Sequence, residues 1–245
     1  MTSFVLKIIA MISMLFDHLG DAIFKGFNSF NYIGRIAFPI FAFQISEGYI
    51  HTKSVKKYLL RLIIFAIISQ VPFMLFSSLF SENPGLNIFF TLALGLLSMI
   101  SYDFMHKKTS KKLKSKIDKN TNKLSIGYLF LQNIVDLIPV VILCIIGEFL
   151  NVDYGWWGVL VIFSFYFFKN DKLAMTITFI TLCIIKYCLQ MLQGGFSYLY
   201  IGLIVCTILP ITFINFYNGK QGKKIKYLLY LFYPIHLLIL YFIFR

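Results

Sequence analysis

The sequence contains few charged residues. Only 13% of its 245 residues are Asp, Glu, Lys or Arg, whereas soluble domains carry about 25%. Hydrophobic residues make up 59% of the chain, and the mean hydropathy is +0.79. Because the surface of a water-soluble fold must carry many polar groups, this composition excludes an ordinary soluble domain. It indicates an integral membrane protein whose main partner is the lipid bilayer.

Several catalytic and metal-binding motifs are also missing. There is no phosphate-binding P-loop, no GxSxG nucleophile elbow and no HExxH zinc helix. The four cysteines lie in apolar runs without the spacing of metal ligands, so we expect no metal cofactor. These absences disfavour ATP hydrolysis and zinc-dependent proteolysis.

Nine apolar segments reach or approach the length that crosses a membrane. In lipid, helices satisfy every backbone hydrogen bond within one segment. We therefore predict an all-α integral membrane bundle of about nine transmembrane helices, forming a single domain over residues 1–245. The predicted segments are 4–24, 32–50, 58–77, 86–104, 126–147, 155–168, 173–192, 197–216 and 227–244.

The lysines predict the orientation of these segments. Seventeen lysines fall in alternate connections, and eight of them lie in one lysine-rich loop at 105–123. Positive residues collect on the cytoplasmic side of a membrane. We expect a cytoplasmic N-terminus, an external C-terminus and a location in the plasma membrane. Since topology explains the net charge of +13, we expect no nucleic-acid partner.

The first segment is dense in ionisable residues. A charged side chain at mid-membrane costs about 2.5–3.5 kcal/mol on insertion scales, so it needs a cavity or a partner. Asp17 and His18 are adjacent, and Asp21 follows. A carboxylate beside an imidazole is a recurrent general-base arrangement, because it orients the ring and stabilises the imidazolium. We predict that Asp17 or Asp21 orients His18; a structural histidine is the alternative.

Lys7 precedes His18 by eleven residues. The two therefore share a helix face and lie about 16 Å apart along the axis. A cation near the cytoplasmic end and a deeper imidazole suit a long anionic ligand that enters from the cytoplasm. The alternative for Lys7 is a side chain that extends to the membrane surface.

The second segment carries Arg35 and Glu47, with Pro39 between them. Pro39 is expected to bend or open the helix. Arg35 binds an oxyanion in one interpretation and forms a structural ion pair with Asp17 or Asp21 in the other.

Other polar residues extend the candidate set. Arg61, at the start of the third segment, either reaches the membrane surface or holds a phosphate. His236 is a second intramembrane histidine, in the last segment. Lys186 and Asp136 are further candidates, with less support from the residues around them in the sequence.

The chain resembles the TraX family over nearly its whole length, except the lysine-rich loop. The resemblance is carried by LKIIAMISMLFDHLGD, IGRIAFPIFAFQISEGYIHT, KYLLRL, NIFFTLALGLL, DYGWWGVL and YNGKQGKKIKYLLYLFYPIHLLIL. The founding member is a conjugation-plasmid protein implicated in N-terminal acetylation of pilin. The family is also distantly similar to membrane acyltransferases with Arg or Lys, ten residues and then His on their first helix, a spacing that Lys7 and His18 match.

This resemblance implies an acetyltransferase that takes acetyl-CoA from the cytoplasm. The implied acceptor is an amine or a hydroxyl, on a protein N-terminus or a surface glycan. The expected catalytic residues are His18, Asp17, Asp21 and Arg35. The expected donor-binding residues are Lys7, Arg61, Glu47 and His236.

Two other classes of function stay open at this point. A transporter or flippase would use the buried charges as a relay, although the sequence has no convincing inverted repeat. A non-catalytic assembly factor for a surface structure would use them only for packing.

Overall fold

The computed structural model describes residues 1–80, 84–114 and 126–245, and in these ranges it consists of α-helices and short connections. No β-strand occurs among these residues; Leu86 and Val152 form an isolated bridge. The predicted all-α class is confirmed. The helices are α1 (Ser3–Phe24), α2 (Ser29–Gly34), α3 (Ala37–His51), α4 (Val55–Ser77), α5 (Ile88–Lys114), α6 (Ile126–Phe149), α7 (Gly155–Phe167), α8 (Lys172–Gly194), α9 (Tyr198–Ile208), α10 (Pro210–Asn215) and α11 (Lys226–Phe244).

Seven helical stretches within the described ranges are long and apolar enough to cross a membrane. They comprise α1, α4, the 88–111 part of α5, the 131–149 part of α6, α8, the 227–244 part of α11 and the continuous stretch formed by α9 and α10. Two predicted segments are not among them. The segment 32–50 is divided between α2 and α3, and 155–168 corresponds to α7, which has only 13 residues. The structure supports a multi-pass membrane protein but does not confirm the count of nine.

The predicted single helix at 32–50 is wrong, and Pro39 explains part of the difference. Helix α2 ends at Gly34, and α3 begins at Ala37. Pro39 lies in the first turn of α3, where the amide hydrogen that it lacks has no intrahelical acceptor. The proline is therefore compatible with the start of a helix, and Arg35 lies at the break.

Helices α3 and α7 occupy the centre of the bundle. Every residue from Ala37 to Ser46 is buried, and so are Trp157, Val159 and Ile162 of α7. A helix that is apolar on all sides is typical of one surrounded by other helices. Helix α7 packs against α3, α5, α6 and α8. The other helices expose large apolar side chains, such as Ile67 and Phe242, as expected for a lipid-facing surface.

The described connections meet at two ends of the bundle. At one end, Ser3 N donates to Lys220 O over 2.9 Å, and Lys172 Nζ donates to Asn215 O over 3.2 Å. At the other end, Leu86 N donates to Asn151 O over 2.9 Å. This grouping agrees with the alternation of the lysines. The assignment of the lysine-rich end to the cytoplasm stays a prediction.

The lysine-rich loop begins later than predicted. Helix α5 continues to Lys114, so the first ten residues of the expected loop at 105–123 are helical. Residues 115–123 lie outside the described residues.

Cysteine labelling tests the orientation. In a background without the native cysteines, Gly26→Cys is exposed at the predicted outer end and Lys108→Cys at the lysine-rich end. We expect a membrane-impermeant maleimide to label Gly26→Cys in whole cells, and to label Lys108→Cys only after permeabilisation. The reverse pattern would invert the proposed topology.

Candidate active site

Two internal cavities open toward opposite ends of the bundle. The inner cavity, at the lysine-rich end, has a volume of about 340 Å³. Its polar lining includes Lys7, Gln44, Glu47, Tyr58, Arg61 and Tyr230. The outer cavity has a volume of about 290 Å³. Its polar lining includes Asp17, His18, Asp21, Arg35, Asp153 and Tyr154.

A thin wall separates the two cavities. Met14, Phe41, Ile88 and Tyr233 line both of them. The Tyr233 ring also lies near His18, with 6.2 Å between the ring centroids. His18 therefore stands beside the layer of described side chains that lines both cavities.

The four predicted catalytic residues all line the outer cavity. Arg35 Nη2 lies 3.6 Å from Asp17 Oδ1, and the Arg35 Nε–H donates to the Asn31 carbonyl over 3.2 Å. The buried Asn31 amide donates to Asp17 Oδ1 over 2.9 Å and to Asp21 Oδ1 over 2.7 Å. The ion pair that the sequence suggested between Arg35 and Asp17 is thus present. Asn31 ties both carboxylates to α2.

Helix α2 can approach α1 because Gly34 has no side chain. A Cβ atom at Gly34 would lie only 2.2 Å from Asp17 Cγ. The capping box of α2, formed by Asn28 and Asn31, fixes the start of this short helix beside the end of α1. The glycine and the cap together place Arg35 against Asp17.

The orientation predicted for His18 is wrong. No hydrogen bond or ion pair joins the His18 ring to Asp17 or Asp21 in the structure, and both carboxylates accept from Asn31 instead. Instead, His18 Nδ1 lies 2.6 Å from His236 Nε2, and the two rings stack. The prediction that His236 contributes to donor binding is also not supported, because His236 lines neither cavity.

The remaining predicted donor-binding residues share the inner cavity. Lys7 from α1, Glu47 from α3 and Arg61 from α4 all line it. Arg61 also lies over the Tyr58 ring, with its guanidinium carbon 5.7 Å from the centroid. Residues that are 54 positions apart in the sequence therefore meet at one opening.

Gln44 is an inner-cavity residue that the candidate set missed. It is 7% exposed, and Ser3 Oγ donates to its Oε1 over 2.6 Å. Its Nε2 has no hydrogen-bond partner among the described residues, and neither does Arg61 Nε. A buried donor without a partner is costly, so both groups suit an oxygen-bearing ligand. The sequence feature that could have identified Gln44 is its position as a polar residue within an apolar run.

Asp153 is a second missed residue, in the outer cavity. It follows Val152, whose bridge with Leu86 fixes the connection before α7. Burial raises the pKa of the Asp153 carboxyl to about 6, while Arg35 and Lys186 act in the opposite direction. The outer cavity thus contains three carboxyl groups and one guanidinium.

The weaker candidates lie outside both cavities. Lys186 Nζ lies 4.1 Å from the centroid of the Trp157 ring, a cation–π contact. Asp136 is fully buried and accepts from Thr109 over 2.7 Å. His106 Nδ1 also lies 2.7 Å from Asp136. Among the residues that the structure describes, no group of three or more His, Cys, Asp or Glu side chains could hold a metal ion.

Apolar helices of spanning length and ionisable groups around two cavities define a multi-pass helical membrane protein with a polar site inside the bundle. The chain belongs to the TraX protein family, whose family model matches residues 3–244. It is also similar to the probable fimbrial assembly protein FimC, serogroup H1, of Dichelobacter nodosus, with 33% identity over 113 residues. That match covers 40% of this chain and 46% of the relative, so it spans less than half of either protein. No solved structure matches the chain significantly.

Substitution of Gly34 tests the close packing of α1 and α2. In Gly34→Ala the new methyl group would overlap Asp17, so we expect a loss of about 1–3 kcal/mol of stability. Gly26→Ala is the matched control, because the nearest atom to its Cβ is 3.9 Å away. Thermal unfolding in one detergent measures both. Equal midpoints for Gly34→Ala and the unmodified protein would contradict this packing.

Proposed function

We propose that this chain is an integral membrane acetyltransferase. It moves an acetyl group from cytoplasmic acetyl-CoA to an amine or hydroxyl acceptor that reaches the outer cavity. A protein N-terminus and a surface glycan are the two acceptor classes. The main support for the proposal is the pair of polar cavities on either side of one wall, with His18 next to that wall.

The inner cavity suits the acyl-bearing arm of acetyl-CoA. Its volume of about 340 Å³ is near the lower end of the range of about 300–1,000 Å³ for ligand pockets. The cavity would therefore take the pantetheine arm and leave the nucleotide at the rim. Lys7 and Arg61 provide positive charge for phosphates there. The unpartnered Nε2 of Gln44 offers a donor to a carbonyl oxygen of the arm.

The outer cavity suits the acceptor and the proton transfer. The acceptor N–H or O–H gives its proton to His18, and the resulting nucleophile attacks the thioester carbonyl carbon. The carbon–sulfur bond breaks, and the CoA thiolate takes the proton from the imidazolium. Arg35 offsets the negative charge that develops on the carbonyl oxygen. The products are the acetylated acceptor and CoA.

The wall must open for the thioester to meet the acceptor. We expect the opening to come from rotation of two of its four members, Met14 and Tyr233. Methionine in particular adapts easily to different surroundings. In the closed arrangement the same wall separates the thioester from water at the outer end.

A second function is a non-catalytic role in assembling a surface structure. The name of the Dichelobacter nodosus relative, a probable fimbrial assembly protein, favours it. In that case the buried polar residues would serve packing, and acetyl transfer would be absent. The experiments below separate the two functions.

Replacement of His18 tests the catalytic role. We expect His18→Ala to lower acetyl transfer by about 10²–10⁴-fold, the usual contribution of a general base. The assay incubates membranes with acetyl-labelled acetyl-CoA and searches for labelled product. Ile12→Ala, a lipid-facing change on the same helix, should retain activity. Undiminished transfer by His18→Ala would refute the role of the imidazole. An inactive unmodified protein that still supports assembly would favour the second function.

Replacement of Gln44 tests the donor site. Gln44→Leu removes the unpartnered amide donor, and we expect acetyl-CoA to bind the purified protein about 2–13-fold more weakly, as for one neutral hydrogen bond of about 0.5–1.5 kcal/mol. Ser3→Ala is the control, because it removes the same Ser3–Gln44 hydrogen bond but leaves the amide in place. Calorimetric titration measures both affinities. Equal weakening by the two variants would mean that Gln44 acts only through Ser3.

A further inference from the structure

The contacts of His236 determine which of its ring nitrogens carries a proton. His236 Nδ1 lies 2.7 Å from the carbonyl oxygen of Phe232, one turn earlier in α11. A carbonyl oxygen only accepts hydrogen bonds, so His236 Nδ1 must be the donor. In a neutral ring the other nitrogen, Nε2, then carries a lone pair and accepts.

The tautomer of His18 follows from that of His236. His236 Nε2 accepts, and it lies 2.6 Å from His18 Nδ1, so His18 Nδ1 must donate. His18 Nε2 is then the unprotonated nitrogen. Within the described part of the chain it has no hydrogen-bond partner, and the His18 side chain lines the outer cavity. The two successive hydrogen bonds, from His236 to Phe232 and from His18 to His236, thus leave a free lone pair on His18 Nε2.

We propose that His236 is a positioning residue that holds His18 in the Nδ1–H tautomer and presents its Nε2 as the proton acceptor. The catalytic role of this nitrogen rests on the proposed function. The tautomer itself rests only on the hydrogen bonds of the two histidines. In many general-base sites a carboxylate accepts from the other nitrogen of the imidazole and has this role. Here Asp17 and Asp21 are bound to Asn31, and a second imidazole replaces them.

The surroundings explain why a neutral partner is suitable. His236 is 5% exposed, and its ring stacks on Phe232 with 4.7 Å between centroids. An isolated carboxylate at this depth would lose its hydration without a compensating charge. An imidazole accepts the same hydrogen bond without a net charge. The stacked rings also restrict rotation of both histidines.

Two variants of His236 separate positioning from packing. His236→Phe keeps a ring of similar shape but removes the acceptor. His236→Gln keeps a polar group that reaches the position of Nε2 and can accept through its oxygen. Ile235→Ala is the control for changes in α11, because its side chain faces lipid and is 49% exposed.

The direct test is ¹⁵N NMR of histidine-labelled protein in lipid nanodiscs, with the His18 signals assigned from a His18→Gln sample. We expect the Nδ1–H tautomer of His18 in the unmodified protein and in His236→Gln, and its loss in His236→Phe. An unchanged His18 spectrum in correctly folded His236→Phe would overturn the inference. If only His236→Phe failed to fold, an Nε2–H tautomer in the unmodified protein or in His236→Gln would overturn it equally.

Kinetics provide the second readout. We expect His236→Phe to lower kcat for acetyl transfer by about 10–100-fold, by analogy with the range for groups that orient metal-bound histidines through the second ring nitrogen. The KM for acetyl-CoA should not change, since His236 lines neither cavity. His236→Gln should recover most of the rate. A raised KM with normal kcat would contradict positioning. The predicted tautomers without any acetyl transfer by the unmodified protein would refute the proposed function alone.

Discussion

The arrangement of this bundle depends on the need of each buried polar side chain for a partner inside it. Lipid offers no hydrogen bonds, so an ionisable group that leaves water must find its partner on a neighbouring helix. Asn31 meets this need for two carboxylates, Arg35 meets it for Asp17, and His236 meets it for His18. These contacts determine how α2 and α11 pack against α1. They also gather the polar groups around enclosed space.

Helix α1 contributes residues to the inner cavity, to the wall and to the outer cavity. Lys7 lies in the inner cavity, Met14 in the wall, and His18 in the outer cavity. Helices α3, α4, α5 and α11 likewise contribute to both cavities. Because the same helices form both sites, a small shift of one helix would change both cavities and the wall together. This coupling is a property of the tertiary structure and suits a reaction whose two substrates come from opposite sides.

The features of the fold that depend on local sequence pattern could be predicted well. The helical class and the grouping of the connections follow from apolar length and lysine position, because both reflect the partition of side chains between water and lipid. Pro39 was expected to bend or open the second segment, but the complete break before it, between α2 and α3, was not anticipated. Periodicity treats 32–50 as one apolar run, whereas the capping box and the proline start two helices there. Helix α5 also extends past its predicted end at residue 104 to Lys114. Lysine has a good helix propensity, so a lysine-rich stretch can continue a helix as well as form a loop.

The sequence by itself determined that this is a helical membrane protein with an unusual set of buried polar residues. It also indicated most of those residues, although not Gln44 or Asp153, because the cost of placing a charge in lipid can be recognised from the sequence. Only the tertiary structure decided their partners. Asp17 and His18 are adjacent in the chain but project about 100° apart on a helix, so one contacts Asn31 and Arg35 while the other contacts His236, which is 218 residues away. Adjacency along the chain does not define contact within a bundle, because the packing of whole helix faces chooses each neighbour.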